Sequence, residues 1–282
     1  MRKLLCTAAL AAFVGAPPAL AQVNIPALQG TITYKNSAST GPQYFSGFAR
    51  ATSKVVYDPM LMIYTIRDTG NPAVTSTFGP AQVTSSNATF TNFSNSSGSN
   101  VNTFRLFNRS LSNPILALTY VQYGQWRRSS TSSGVTSTND TYVVFGTRTT
   151  GAAMPKTGGA TYATYLDGTY VNKNGVYAVT GTGTLGASFQ NGTITYSADL
   201  DGAREGGGTA LDFGVVSGSG SLSTAGASFN GTGTKNGGGF KLDVNGHFYG
   251  PAAEEIGGIF RLTGSYNSVG GTGNGTGAIV GN

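Results

Sequence analysis

The chain has 282 residues, of which 39% are hydrophobic and only 10% charged, with 43 Gly, one His, one Cys and a formal net charge of +6. A single histidine and a single cysteine leave little for acid–base, thiol or metal chemistry, so the composition favours binding or architecture over catalysis.

At the N-terminus, Arg2 and Lys3 precede the apolar run Leu4–Val14 and the small-residue stretch Gly15–Ala21, which closes on Ala-Leu-Ala. This order reads as a secretory signal over residues 1–21. The apolar run is too short for a bilayer, and no later stretch approaches the roughly 18 apolar residues of a membrane helix. Cys6 lies near the start of that run, not at its end, so neither a lipid-anchoring cysteine nor a disulfide is expected. The expected location is extracellular, at the outer-membrane surface or in the periplasm, with no transmembrane helix.

Composition changes near residue 150: 10 glycines precede that point and 33 follow it. Residues 22–150 carry nine Lys/Arg against Asp58, Asp68 and Asp140, whereas the remainder is slightly acidic. Two domains are therefore predicted, 22–152 and 153–282. No basic run exceeds Arg127-Arg128, so nucleic acid is not expected as a partner; the positive excess reads as solvated side chains or as a face for an acidic partner.

Thr, Ser, Val, Tyr, Phe and Gly abound and apolar residues recur at spacing two, the pattern of an all-β protein. In chain order, Lys54–Ile66 predicts two strands broken at Asp58-Pro59, followed by strands over Thr103–Phe107, Ile115–Trp126 and Thr141–Arg148. The Ser/Thr/Asn-rich segments Thr84–Asn102 and Ser129–Asn139 read as exposed loops, and Ala152–Gly159 as a linker. After it come Ala160–Leu166, Gly168–Val171, Val176–Leu185, Thr193–Leu200, Thr209–Gly218, Ser228–Thr234, Gly239–Tyr249, Ile256–Ser265 and a last run to Val280. Tight turns such as Asn174-Gly175 and Asn191-Gly192 separate several of them. The fold expected is a β handle or sandwich followed by a closed eight-stranded antiparallel up-and-down barrel.

The segment Gly246–Gly258, GHFYGPAAEEIGG, gathers His247, Tyr249, Glu254 and Glu255. Pro251 suits a first helical position and the acids suit a first turn, so a strand, one helical turn and a second strand are expected. Adjacent helical acids point about 100° apart and cannot flank one bond, which excludes a paired-carboxylate site. His247 reads as structural or exposed, with an axial-ligand role as the sharper alternative. Tyr249 reads as packing the barrel, with a phenolate ligand as the alternative.

Phe248-Tyr249-Gly250-Pro251-Ala252-Ala253-Glu254-Glu255-Ile256-Gly257-Gly258-Ile259-Phe260 resembles the F-Y-G-P-x-A-x-E-x-G-G-x-F signature of the transferrin-binding protein B β-barrel domain family. That family also includes factor H-binding protein and secreted haem-binding proteins of the haemophilin type. Phe248, Tyr249, Gly250, Pro251, Glu254, Gly257 and Gly258 are taken as the structural motif. More weakly, Leu118–Trp126 is similar to the family's handle. The resemblance implies a surface or secreted Gram-negative binding protein, with host protein or haem as ligand and iron acquisition as the role. It also implies export through a surface lipoprotein assembly modulator-type translocon. No cofactor or metal is expected beyond haem as a ligand. The absent lipid-anchor cysteine and the single handle and barrel resemble a one-lobe soluble relative.

Trp126, Arg127 and Arg128 are the residues with the composition of an interface hot spot; the plainer reading ends a core strand at Trp126 and starts a solvated loop at the arginines. Together with His247 they form the candidate ligand-binding set. Other readings are an adhesive surface protein, from the many Asn/Ser/Thr loops, and an integral outer-membrane barrel. The latter fits poorly, since Val179–Thr184 lacks a lipid-facing apolar row. The Gly-rich GTGTLG at Gly181–Gly186 is followed by no helix and no closing Lys, so it is no phosphate loop.

Overall fold

The computed structural model describes residues 23–37, 41–68, 74–265 and 272–282; the side chains of residues 41–53 and 265 are outside the description. The signal segment and Cys6 lie outside the described residues. The first half of the chain forms one sheet of nine antiparallel strands. These are β1 (Val23–Ser37), β2 (Gly41–Asp58), β3 (Ile63–Asp68), β4 (Thr75–Phe78), β5 (Val83–Ser86), β6 (Phe90–Ser94), β7 (Asn100–Phe107), β8 (Val121–Ser132) and β9 (Val135–Gly146). Their order in the sheet is β4-β3-β2-β1-β9-β8-β7-β6-β5. The two edge strands, β4 and β5, are consecutive in sequence and joined by a 3₁₀ turn at Pro80–Gln82, so the sheet curls until its edges approach each other.

Several expected loops are strands. Ser129–Asn139 is the β8–β9 hairpin, whose turn places Ser133 and Gly134 at positive φ, and its hydroxyls pair across the ladder at Ser129–Thr138 and Thr131–Thr136. Thr84–Asn102 holds β5, β6 and the start of β7; the Asn87 side chain accepts from the amides of Thr89 and Phe90 to make the turn. Thr is β-branched and fits a strand as readily as Val, so hydroxyl-rich composition alone does not mark a loop. Conversely, residues 115–120 are not a strand, and β8 begins at Val121.

The second half closes into a barrel of β10 (Gly159–Asn172), β11 (Gly175–Ser188), β12 (Thr193–Arg204), β13 (Leu211–Ser223), β14 (Ser228–Lys235), β15 (Phe240–Tyr249), β16 (Glu255–Ser265) and β17 (Thr272–Gly281). Each strand pairs with its sequence neighbour, and β17 pairs back onto β10 from Thr164↔Gly281 to Val171↔Asn274. The runs expected over Ala160–Leu166 and Gly168–Val171 are one strand, because Asp167 between them is held by partners across the domain boundary.

Apolar side chains fill the barrel, among them Tyr170, Phe213, Phe240, Phe248 and Phe260, with ring contacts such as Phe213–Phe240 at 4.9 Å. Tyr196 crosses the interior to donate to the Leu242 carbonyl at 2.6 Å; a Cβ at Gly233 would stand 2.8 Å from its hydroxyl, which is why glycine faces it. Most outward positions on β11 and β13 are hydroxyls, with Thr180, Thr182, Thr184, Ser217, Ser219 and Ser221 all exposed beside Val215. A membrane barrel turns a continuous apolar band outward, which these two strands do not. No helix among the described residues is long and apolar enough to cross a membrane.

One sector of the barrel wall is different. Tyr165 on β10, Ile259 on β16, and Ala278 and Val280 on β17 point outward yet are buried, in one cluster with Val121, Tyr123, Tyr142 and Val144 of the handle. The opposite face of the same handle strands supplies Trp126, Val143 and Phe145 to the core inside the curl, with Phe78, Phe93 and Phe104. Strands β8 and β9 are thus apolar on both faces, one toward each core.

Candidate functional site

The motif segment is the joint between the two domains. Its strand ends at Tyr249, and Gly250 (φ +90) and Ala253 (φ +65) turn the chain into β16. The expected helical turn is therefore an irregular tight turn, because two left-handed residues interrupt any helical run. Glu254 closes it locally by accepting from the Ala252 amide at 2.8 Å.

Glu255, left out of the motif set above, is the acid that matters. Its side chain is buried at the domain boundary, and its carboxylate accepts from three consecutive backbone amides of the handle: Thr119 (2.5 Å), Tyr120 (2.8 Å) and Val121 (2.8 Å). These amides lie at the entry to β8, where no sheet partner serves them, so the carboxylate stands in for a missing strand. On the other side of the turn, the chain leaving β9 pairs with the motif: the Thr149 amide donates to the Phe248 carbonyl and the Gly250 amide to the Thr147 carbonyl. The signature's spacing places its acid at 255, which was the available clue.

Gly257 serves the same joint, whereas Gly258 lets β16 approach Asn245 and Gly246 of β15. A Cβ at Gly257 would meet Val121 Cγ2 at 2.5 Å and Val144 Cγ1 at 2.8 Å, both handle side chains. Gly257→Ala is expected to cost about 1–3 kcal/mol by overpacking the interface, read by urea unfolding; a cost near zero would mean the handle simply rides outward.

Two ion-pair clusters flank this joint. Arg105 on β7 donates to both oxygens of Asp167 on β10, at 2.6 and 2.8 Å, and the Tyr123 hydroxyl donates to the same carboxylate at 2.7 Å. Burial opposes the charge on Arg105, and the Asp167 carboxylate outweighs it, so the guanidinium stays above its ordinary range. Burial, then Asp167, pushes the Tyr123 phenol well above its own.

The second cluster holds a predicted ligand-binding residue. Arg127 grips Asp140 through Nε (2.7 Å) and Nη2 (2.6 Å) and reaches the barrel's Glu205 at 2.6 Å. Asp140 is fully buried and also accepts from Thr169 of the barrel at 3.0 Å. Trp126 is 0% exposed, and its Nε1 donates to Asn102 at 2.8 Å. Arg128 lies over the indole ring, 4.2 Å from its centroid. Strand alternation explains the division: Trp126 and Arg128 face the curl, whereas Arg127 between them faces the barrel. The indole therefore offers no surface and Arg127 is already paired within the chain, while Arg128 is half-buried.

His247 lies half-buried on β15, its Nδ1 3.3 Å from the Ala227 carbonyl. Burial first, and the Arg148 charge second, hold it below its ordinary value of 6.5. Tyr249 is buried in the interdomain cluster. The structure therefore does not bring the predicted set Trp126, Arg127, Arg128 and His247 together. Among the described residues no cluster of three His, Cys, Asp or Glu is arranged for a metal.

What the handle does present is an apolar tip. The β2–β3 turn exposes Met60, Leu61 and Met62 to 62%, 59% and 57%. The turn is held, since the Asp58 carboxylate accepts from the amides of Met60 and Leu61 at 3.0 Å each. Beneath it the Tyr57 and Tyr64 rings lie 4.7 Å apart, tilted by 31°, across the β2–β3 pair. From sequence, Met60–Met62 are expected to open the strand after the Asp58-Pro59 break, but that strand, β3, begins only at Ile63 and leaves them in the turn.

No protein-family model matches the sequence, and a comparison with curated proteins finds none similar to it. Solved structures similar in fold include transferrin-binding protein B of Haemophilus parasuis Hp5, at 14% identity, TM-score 0.46, and coverage of 91% of this chain and 75% of that one. Another is isotype 1 transferrin-binding protein B of serogroup B Neisseria meningitidis, at 14% identity and TM-score 0.43, covering 90% of this chain and 43% of that one. The N-lobe of lactoferrin-binding protein B of Moraxella bovis aligns at 12% identity and TM-score 0.41, over 91% of this chain and 99% of that one.

Proposed function

We propose that this is a non-enzymatic binding protein of the bacterial surface or its surroundings, which takes a folded host protein at the tip of its handle. The observation that carries this reading is the Met60-Leu61-Met62 turn, an apolar patch more than half exposed and yet pinned in shape by Asp58. Such groups in water cost free energy, and a fixed conformation lowers the entropy lost when a partner covers them. The barrel and its three polar clasps hold the handle rigidly enough to present that tip. The sequence signature supports a host iron carrier as the partner class. Haem, the other ligand implied by the signature, would have to be held without any histidine besides His247.

The test is binding of host transferrin and lactoferrin to the immobilised protein by surface plasmon resonance, with Met60→Ser/Leu61→Ser alongside. The double variant is expected to weaken binding by about 2–4 kcal/mol with little change in melting temperature. Absence of binding by both carriers at micromolar concentration would remove the iron-carrier reading. Undiminished binding by the variant would move the contact away from the handle tip.

A further inference from the structure

Two cavities of about 450 and 280 Å³ open beside the tyrosine pair of the handle, and both are lined by Tyr57, Tyr64, Arg109 and Gln122. The larger continues over Phe93 and Leu106, the smaller over Ile25 and Phe145. Among the described residues, Arg109 is the only charged side chain lining either, and no acidic residue lines them to neutralise it. Burial, with Tyr57 nearby, pushes the Tyr64 phenol up to about 12, so this wall carries no negative charge near neutral pH.

We propose that this cleft is a small-molecule site for an organic carboxylate with an aromatic or otherwise planar apolar body. The tyrosine pair and Phe93 give flat surfaces for such a body, and Arg109 at the mouth takes the carboxylate in its fork of donors. A neutral apolar ligand would leave the guanidinium unused, a cation would be repelled by it, and an inorganic anion would use none of the aromatic wall. The larger volume falls in the range of small-molecule pockets, and the smaller lies just below it. This site borders the Met60–Met62 turn, since Met62 lines the larger cavity, but neither Met60 nor Leu61 lines either one.

The probe is 1-pyrenebutyrate, compared with the neutral 1-pyrenebutanol of the same shape, by fluorescence anisotropy on the whole protein. The carboxylate is expected to bind at least about tenfold more tightly than the alcohol. Arg109→Gln should abolish that difference while leaving the alcohol's affinity unchanged, and Tyr64→Ala should weaken both probes. Met60→Ser/Leu61→Ser should leave both affinities in place, which separates this site from the protein-binding tip. Equal affinity of acid and alcohol, an unaltered preference in Arg109→Gln, or no saturation below about 1 mM would overturn the proposal.

Discussion

Glu255→Ala is expected to lower the unfolding free energy by about 3–5 kcal/mol, measured by urea denaturation at neutral pH. The carboxylate serves the amides of Thr119, Tyr120 and Val121 at once, and each is a hydrogen bond to a charged group. Truncation removes all three and leaves the Val121 amide buried without an acceptor. Water reaches the exposed Thr119 more easily, which keeps the loss below three times the single-bond value. Glu255→Gln separates charge from shape: its amide keeps one acceptor but turns an NH₂ group toward the donors, so it should recover only part of the loss. A cost below about 1 kcal/mol for the alanine variant would show that water replaces the carboxylate.

The Arg105–Asp167 pair should show the opposite asymmetry between single and double substitution. Asp167→Ala leaves a guanidinium and the Tyr123 hydroxyl without their acceptor at the domain boundary, with an expected loss of about 3–5 kcal/mol. Arg105→Met with Asp167→Leu should recover part of that loss, because two apolar side chains need no partners there, while the Tyr123 hydroxyl still lacks its acceptor. A double-mutant cycle by calorimetry reads the coupling directly, and additive losses would mean that the two residues do not act as a pair.

The barrel was legible because its signals are local. Period-two apolar residues, Asn-Gly turns and inward glycines recur strand by strand, and neighbours in sequence are neighbours in the closed sheet. The handle was less so. Its first strand, β1, lies between β2 and β9, and the pairing of Leu28 with Val144 spans over a hundred residues that no local pattern connects. Hydroxyl-rich strands such as β5 and the distal β8–β9 hairpin imitate loops because both their faces meet water.

The site was legible in its residues rather than in its roles. Arg127 stood out by composition, but what it touches depends on Asp140 on the next strand and on Glu205 of the barrel. The choice of Glu254 over Glu255 turned on which of two adjacent acids points across the joint. The signature's spacing already pointed to 255, and the turn at Gly250 and Ala253 gives the physical reason. The Met60–Met62 tip was overlooked because an apolar run beside a strand reads as core until the fold shows nothing above it.

The place where the handle docks has a consequence for the order of assembly. The apolar sector of the wall is contributed by β10 from the start of the barrel and by β16 and β17 from its end. That sector straddles the seam, so it does not exist until the last strand has found the first. A handle folded earlier has nothing to dock on, and its Val121, Tyr123 and Val144 face water until then. Once docked, the handle lies over the β10–β17 ladder, the one barrel pairing made between strands far apart in sequence, and the chain's first half locks the closure of its second.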